Sequence, residues 1–323
     1  MSEATPNAPR SLSESMRAIA GDIKLAHSVF ALPFAVLGMV WAAGWRDSVS
    51  WPAGVLGVAW WEIGLVVVCM VSARTVAMTM NRWADRRIDA GNPRTAGRAI
   101  PAGRVSANAV LWTGAAASAI FVVACGGFGV IGDNWWPARL SVPVLLWLAG
   151  YAYAKRFTAL CHVVLGVALA MSPVAAALAI DPGYVVSEAG RGVWWLAGFV
   201  LLWVAGFDVI YATADEQFDK QEGLHSLPAA LGTGGALWVS RAMHLAALAC
   251  LIVSQPLYPV EGRVLPWLIG VALTAGLLVT EHAIVWRAER RHDPKLLDAA
   301  FFIANGVIAV VLGACGLVSL IVA

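Results

Sequence analysis

Charge is what this chain has least of. Asp, Glu, Lys and Arg make up 13% of its 323 residues, where an ordinary soluble domain carries about 25%. That scarcity excludes a soluble globular domain, a nucleic-acid binder and a charged disordered chain. A net charge of +2 says nothing by itself about a partner. Cysteine is also sparse. Cys69, Cys125, Cys161, Cys250 and Cys315 stand one at a time in apolar runs, with no CxxC spacing and no Cys/His cluster. They read as free thiols used as small hydrophobes, not as a disulfide framework. The first 22 residues are polar and rich in Ser, Ala and Pro, and they lack a short apolar stretch ending in a cleavage site. This argues against a removed signal peptide.

What is there in abundance is apolar surface, at 60% of residues. A spanning helix needs about 20 mostly apolar residues. Nine runs qualify: 23–44, 54–82, 106–131, 141–154, 160–181, 193–214, 232–253, 265–287 and 298–322. The expected fold is all-α: a polytopic membrane bundle of nine helices, two related four-helix halves plus one. With the N-terminus inside, sixteen Lys and Arg fall in inside segments, against Arg46, Arg139, Arg191 and Arg263 outside. That bias sets a cytoplasmic N-terminus in a bacterial-type inner membrane, and the odd count sends the C-terminus outside. Trp41, Trp45, Trp51, Trp135, Trp136, Trp194, Trp195 and Trp267 fall at outer helix ends, where amphipathic rings anchor to headgroups.

An internal repeat carries the chemistry. Asn81, Asp85 and Asp89 close the second run at i, i+4, i+8, and a Pro-Ala loop with Pro101 follows. Asp208, Tyr211, Asp215 and Asp219 close the sixth at i, i+3, i+7, i+11, followed by a loop with Pro228. On continuous helices each set shares one face. Ionisable groups at span ends face a cavity or a partner, which makes them functional candidates. Mg²⁺ prefers oxygen ligands and is commonly held by one or two carboxylates plus substrate phosphates. Lys155, Arg156, Arg94 and Arg98 lie in neighbouring inside loops and would take remaining phosphate charge. The competing reading is that these acids simply pair with the nearby arginines.

The segment Asn81–Asp89 with Arg94, Arg98 and Pro101 resembles the first aspartate-rich motif of the UbiA superfamily of intramembrane aromatic prenyltransferases. The run Asp208–Asp219 resembles its second motif, and Tyr153–Thr158 its basic loop. The likeness extends to Lys24, His27 and Pro33 near the start. The resemblance implies a single prenyltransferase domain over 23–323, following the polar segment 1–22. It also implies Mg²⁺ bridging a polyprenyl diphosphate in a central cavity. Asn81, Asp85, Asp89, Asp215 and Asp219 match its metal-binding positions. Asp208 and Tyr211 match residues near the reaction centre, and Lys155 matches a lysine on the diphosphate.

The chemistry such a site needs is plain. Cations stabilise the departing diphosphate, lipid-embedded walls keep water from the allylic cation, and an electron-rich ring attacks it. A base or the released diphosphate then removes the ring proton, and Asp208 is the residue favoured for that step. Motif details such as Gly223–Pro228 and Ala73–Met78 look like a branch serving menaquinone synthesis through futalosine. The small aromatic acceptor is therefore 4-hydroxybenzoate or 1,4-dihydroxy-6-naphthoate, in ubiquinone or menaquinone synthesis. Arg74, about two turns deeper than Asn81, either receives an acceptor carboxylate or partners a motif aspartate. His27 and His225 are candidate acceptor or phosphate contacts, and Lys24 a further substrate contact. His162, His244, His282 and His292 read as interfacial or packing residues. A transporter is the rival from another class, since repeats and intramembrane acids occur there too. Against it, the acids gather at one membrane side.

Overall fold

The computed structural model describes residues 21, 30–46, 54–254, 264–291 and 303–321. Lys24, His27, Trp51, Arg263 and His292, and all but one residue of the polar segment 1–22, lie outside the described residues. The described chain is an all-α bundle: α1 (Leu32–Trp45), α2 (Trp60–Gly91), α3 (Ala107–Gly132), α4 (Trp136–Gly150), α5 (Cys161–Ile180), a short α6 (Pro182–Val186) and α7 (Arg191–Ala212). There follow a short α8 (Glu216–Gln221), α9 (Leu227–Val253), α10 (Val264–Arg291) and α11 (Asn305–Ile321). 3₁₀ segments at Tyr151–Arg156 and Thr213–Asp215 extend α4 and α7.

Among the described residues, six helical segments are long and apolar enough to cross a membrane: α2, α3, α5, α7 continued through α8, α9 and α10. The first, fourth and ninth expected runs carry helices of 14, 15 and 17 residues. Outward positions such as Trp112, Val123, Val130, Leu146 and Val279 are large, apolar and exposed. Lipid is the solvent that suits them, and the protein is an integral membrane protein.

The second run departs from expectation at both ends. Its first residues are not helical: β1 (Gly54–Val55) and β2 (Val58–Ala59) pair antiparallel around Leu56 and Gly57, both at positive φ. The helix then starts at Trp60 and continues unbroken to Gly91. At 1.5 Å per residue its 32 residues span about 48 Å, more than the ~30 Å hydrocarbon core. One end of α2 must therefore leave the lipid, and the charged end at Asn81–Gly91 is the part that can.

α7 lies at the centre of the bundle, against α5 on one side and α9 on the other; α1 packs on α5 and α11, and α2 on α3. Without a hydrophobic drive between helices in lipid, close approach comes from small residues. Gly38 on α1 meets the Pro173 carbonyl of α5 so closely that a side chain there would overlap it. Along α7, Phe199, Trp203 and Phe207 recur every four residues and are nearly wholly buried. They stack and cross with Phe34 at centroid distances of 5.1–5.8 Å. This rigid column ends beside Asp208.

Two expected anchors are corrected here. Trp41 and Trp267 are buried and pack edge-to-face on each other at 5.7 Å, so they belong to the core. Trp45, Trp135, Trp136, Trp194 and Trp195 are exposed, as interfacial rings would be.

Candidate active site

Because α2 is unbroken through Gly91, Asn81, Asp85 and Asp89 do share a face. Asp85 and Asp89 are 2% and 3% exposed, and a buried carboxylate requires compensation. Each finds it in a basic side chain. Lys155 Nζ stands 2.7 Å from Asp85 Oδ2 and Arg156 3.0 Å from Oδ1. Asn81 reaches the same Oδ2 at 3.5 Å. Arg98 holds Asp89 Oδ1 at 2.6 Å.

The second row is not one helical face, contrary to expectation. α7 ends at Ala212, the Thr213–Asp215 turn tightens the chain, and α8 restarts at Glu216. The break separates the surroundings of the acids. Asp208 stays on α7 and faces α5, while Asp215 faces the loop after α2. There Arg94 grips it with two hydrogen bonds, Nε to Oδ1 at 2.9 Å and a second from the terminal nitrogen to Oδ2. Burial opposes the Arg94 charge, but hydrogen bonding and attraction to Asp215, with Tyr211 adding to both, raise its pKa above the usual value. The Arg94 guanidinium also sits over the Tyr211 ring, 4.7 Å from its centroid. Asp219, half-buried on α8, lies near Ser226, Asp215 and Lys155.

The turn after Asp215 is held by its neighbour. Glu216 accepts from the backbone N–H of Thr233 at 2.8 Å and from its hydroxyl. Thr233 is free to be capped because Gly232, at φ 70°, interrupts α9 there. A side chain at that φ would be strained. The internal repeat shows in the caps as well: Ser106 and Ser226 each cap the next long helix, accepting from Ala109 N and Ala229 N.

Two residues that the sequence reading left out belong to this cluster. Asn92, buried at the end of α2, donates to Asp215 Oδ1 at 2.9 Å and accepts from Arg94 N at 2.9 Å. His162, read as packing, instead pairs with Asp208: Nδ1 to Oδ2 is 2.7 Å. Asn92 stands three positions after Asp89, which could have drawn attention to it. His162 offered no local signal, because it lies 46 residues from its partner. His225 is exposed, and its backbone N–H, not its ring, is engaged, donating to Lys155 O at 2.7 Å. Arg74 lies half-buried on α2 within the electrostatic reach of Tyr151 and Arg82.

Among the described residues no three His, Cys, Asp or Glu side chains converge on one point. Asp85, Asp89 and Asp215 are each turned toward a Lys or Arg side chain instead. Asp89 Oδ2 is buried with no hydrogen-bond partner. All the carboxylate, amide and phenol donors here are oxygen, the set that a hard divalent cation takes.

Residues 31–306 match the UbiA prenyltransferase family. The chain belongs to that family. Among UbiA relatives, the 4-hydroxybenzoate octaprenyltransferase of Nitrosomonas europaea is 28% identical over 251 residues, 76% of this chain and 78% of that one. That of Methylococcus capsulatus is 28% identical over 272 residues, covering 81% and 84%. The apo structure of a UbiA homolog from Aeropyrum pernix superposes with TM-score 0.75 at 32% identity, over 91% of this chain and 98% of that one. A UbiA homolog from Archaeoglobus fulgidus, solved bound to DMAPP and Mg²⁺, shares the fold at TM-score 0.62 and 16% identity, over 96% of this chain and 100% of that one. This UbiA-family chain is thus an enzyme of prenyl transfer.

Proposed function

We propose that the chain transfers a polyprenyl group from a polyprenyl diphosphate to a small aromatic acceptor, 4-hydroxybenzoate or 1,4-dihydroxy-6-naphthoate, in quinone synthesis. The observation that carries this reading is the interleaving of two acid rows with four basic side chains in one cluster. Carboxylates and cations in such a mixture suit a metal diphosphate, which needs both. The relatives' names support the aromatic acceptor.

Asn81, Asp85, Asp89, Asp215 and Asp219 would hold Mg²⁺. When bound, Mg²⁺ supplies Lewis-acid stabilisation of the leaving diphosphate. Lys155, Arg94, Arg98 and Arg156 exchange their carboxylate partners for phosphate oxygens, and Lys24, His27 and His225 complete the substrate contacts. The ring of Tyr211, held under Arg94, borders the reacting carbon. Asp208 accepts the proton that the acceptor ring loses, and Arg74 receives the acceptor's acidic group. The buried column of Phe199, Trp203 and Phe207 keeps water from that side of the site.

In this reading the chain is a polar segment over 1–22 and one domain over 23–323 with nine spans in a bacterial inner membrane. The N-terminus and the acid rows lie on the cytoplasmic side. The test is turnover by purified, lipid-reconstituted protein with Mg²⁺, labelled polyprenyl diphosphate and each acceptor in turn, read by mass spectrometry. A prenylated acceptor with diphosphate release is the expected product. Passage of substrate across liposomes without chemical change would replace this reading with transport.

A further inference from the structure

His162 lies in the first turn of α5, behind Asp208. The imidazole is 2% exposed, while the Asp208 side chain in front of it is 25% exposed. Both ring nitrogens are engaged. Nδ1 meets Asp208 Oδ2 at 2.7 Å, and Nε2 takes the backbone N–H of Leu227 at 3.3 Å. An amide N–H can only donate, so Nε2 must be the unprotonated nitrogen. An imidazolium would set two N–H groups head to head. The ring is therefore neutral with its proton on Nδ1, and that proton points at Asp208.

We infer that His162 is a positioning residue for Asp208, holding one carboxylate oxygen in place and leaving its open edge toward the acceptor. The inference rests on the prenyl-transfer reading. Fixing one oxygen with a 2.7 Å hydrogen bond restricts rotation about the last side-chain torsion of Asp208. In the reaction the acceptor carbon bonds to C1 of the allylic unit as the C1–O bond breaks, and diphosphate leaves with the electron pair. The ring C–H proton then passes to Asp208 and its electrons restore aromaticity, while His162 keeps its own proton throughout.

The anchoring also couples two loops. Leu227 opens α9 just after the second motif, and Cys161, beside His162, donates its thiol to His225 O at 3.4 Å. His225 N in turn holds Lys155 O at 2.7 Å. Asp208 is thereby placed relative to the basic turn that carries Lys155, which sets its distance from the diphosphate.

Two measurements test this on reconstituted full-length protein. The first is ¹⁵N-histidine NMR, with the His162 signal assigned by its loss in His162→Gln. A neutral ring protonated at Nδ1 is expected, and an imidazolium or the Nε2–H tautomer would overturn the inference. The second is steady-state turnover with Mg²⁺, polyprenyl diphosphate and the active acceptor. His162→Leu is expected to lower kcat about 100-fold, as a displaced catalytic group does, with KM for the diphosphate within about two-fold. His162→Gln, which can still donate and accept, should recover most of kcat. Adding Asp208→Asn to His162→Leu should cost no more than Asp208→Asn alone. Wild-type kcat in a folded His162→Leu protein, or full additivity with Asp208→Asn, would overturn the inference while leaving prenyl transfer intact. A wild-type protein that releases no diphosphate with any acceptor would overturn both.

Discussion

The side-chain amide of Asn92 donates to Asp215 Oδ1 at 2.9 Å, joining the two acidic motifs across 123 residues of chain. The same side chain accepts from Arg94 N, and Arg94 itself grips Asp215. Three hydrogen bonds from two side chains thus fix the Asp215 carboxylate before any substrate arrives. This arrangement is the direct link between the loop after α2 and the turn after α7.

Asn92→Ala is expected to lower the stability of the detergent-solubilised protein by about 1.5–3 kcal/mol, the net worth of a hydrogen bond to a charged group. Asn92→Asp should be worse despite its similar shape, because a second carboxylate would face Asp215. A melting comparison of the two variants decides this, and equal melting temperatures would contradict the linkage.

Asp85 balances both Lys155 and Arg156. Asp85→Asn keeps the shape but removes the charge, and so does Asp215→Asn for its own row. Each is expected to reduce diphosphate release by about 100-fold or more, as the loss of a transition-state electrostatic contact does. Activity that survives in both would exclude the two-row metal reading.

Chelation with EDTA should stop turnover, and Mg²⁺ should restore it. Metal alone is expected to raise the melting temperature little, since each carboxylate must first give up a basic partner. Metal together with a non-hydrolysable polyprenyl diphosphate should stabilise strongly, by about 2.7 kcal/mol at a hundred-fold excess over Kd. A large shift from Mg²⁺ alone would show that the ion pairs do not compete with it.

Away from the acid rows, Asn305 sits wholly buried between two helices. It donates to Glu281 Oε1 at 2.7 Å and accepts from Trp203 Nε1 at 2.7 Å. Asn305→Leu leaves both groups without that partner, and an expected loss of about 2–4 kcal/mol follows from two abandoned polar groups. Turnover per folded molecule should hold, because Asn305 touches none of the acid rows. Differential scanning in detergent, paired with specific activity, checks both halves.

The runs of apolar residues and the spacing of Asn81, Asp85 and Asp89 were legible because each is local: a continuous helix turns spacing directly into a shared face. The same rule failed over Asp208–Asp219, where a 3₁₀ turn at Thr213–Asp215 breaks the helix. No strong helix breaker marks that position, and the turn is held in place by Thr233 from another helix. Trp41 and Trp267 looked interfacial from their places near helix ends, and only packing showed that they bury each other.

The sequence by itself determined that this is a helical membrane protein with a repeated pair of acidic motifs. Composition, run length and periodicity are properties of neighbours along the chain. Only the tertiary structure decided which base meets which acid, that Asn92 bridges the motifs, and that His162 stands behind Asp208. Apart from Arg98 with Asp89, nine positions away, those are contacts between residues 46 to 123 positions apart. Their existence depends on how α2, α5 and α7 pack, and in lipid that packing is set by small side chains and buried polar bonds that no local pattern records.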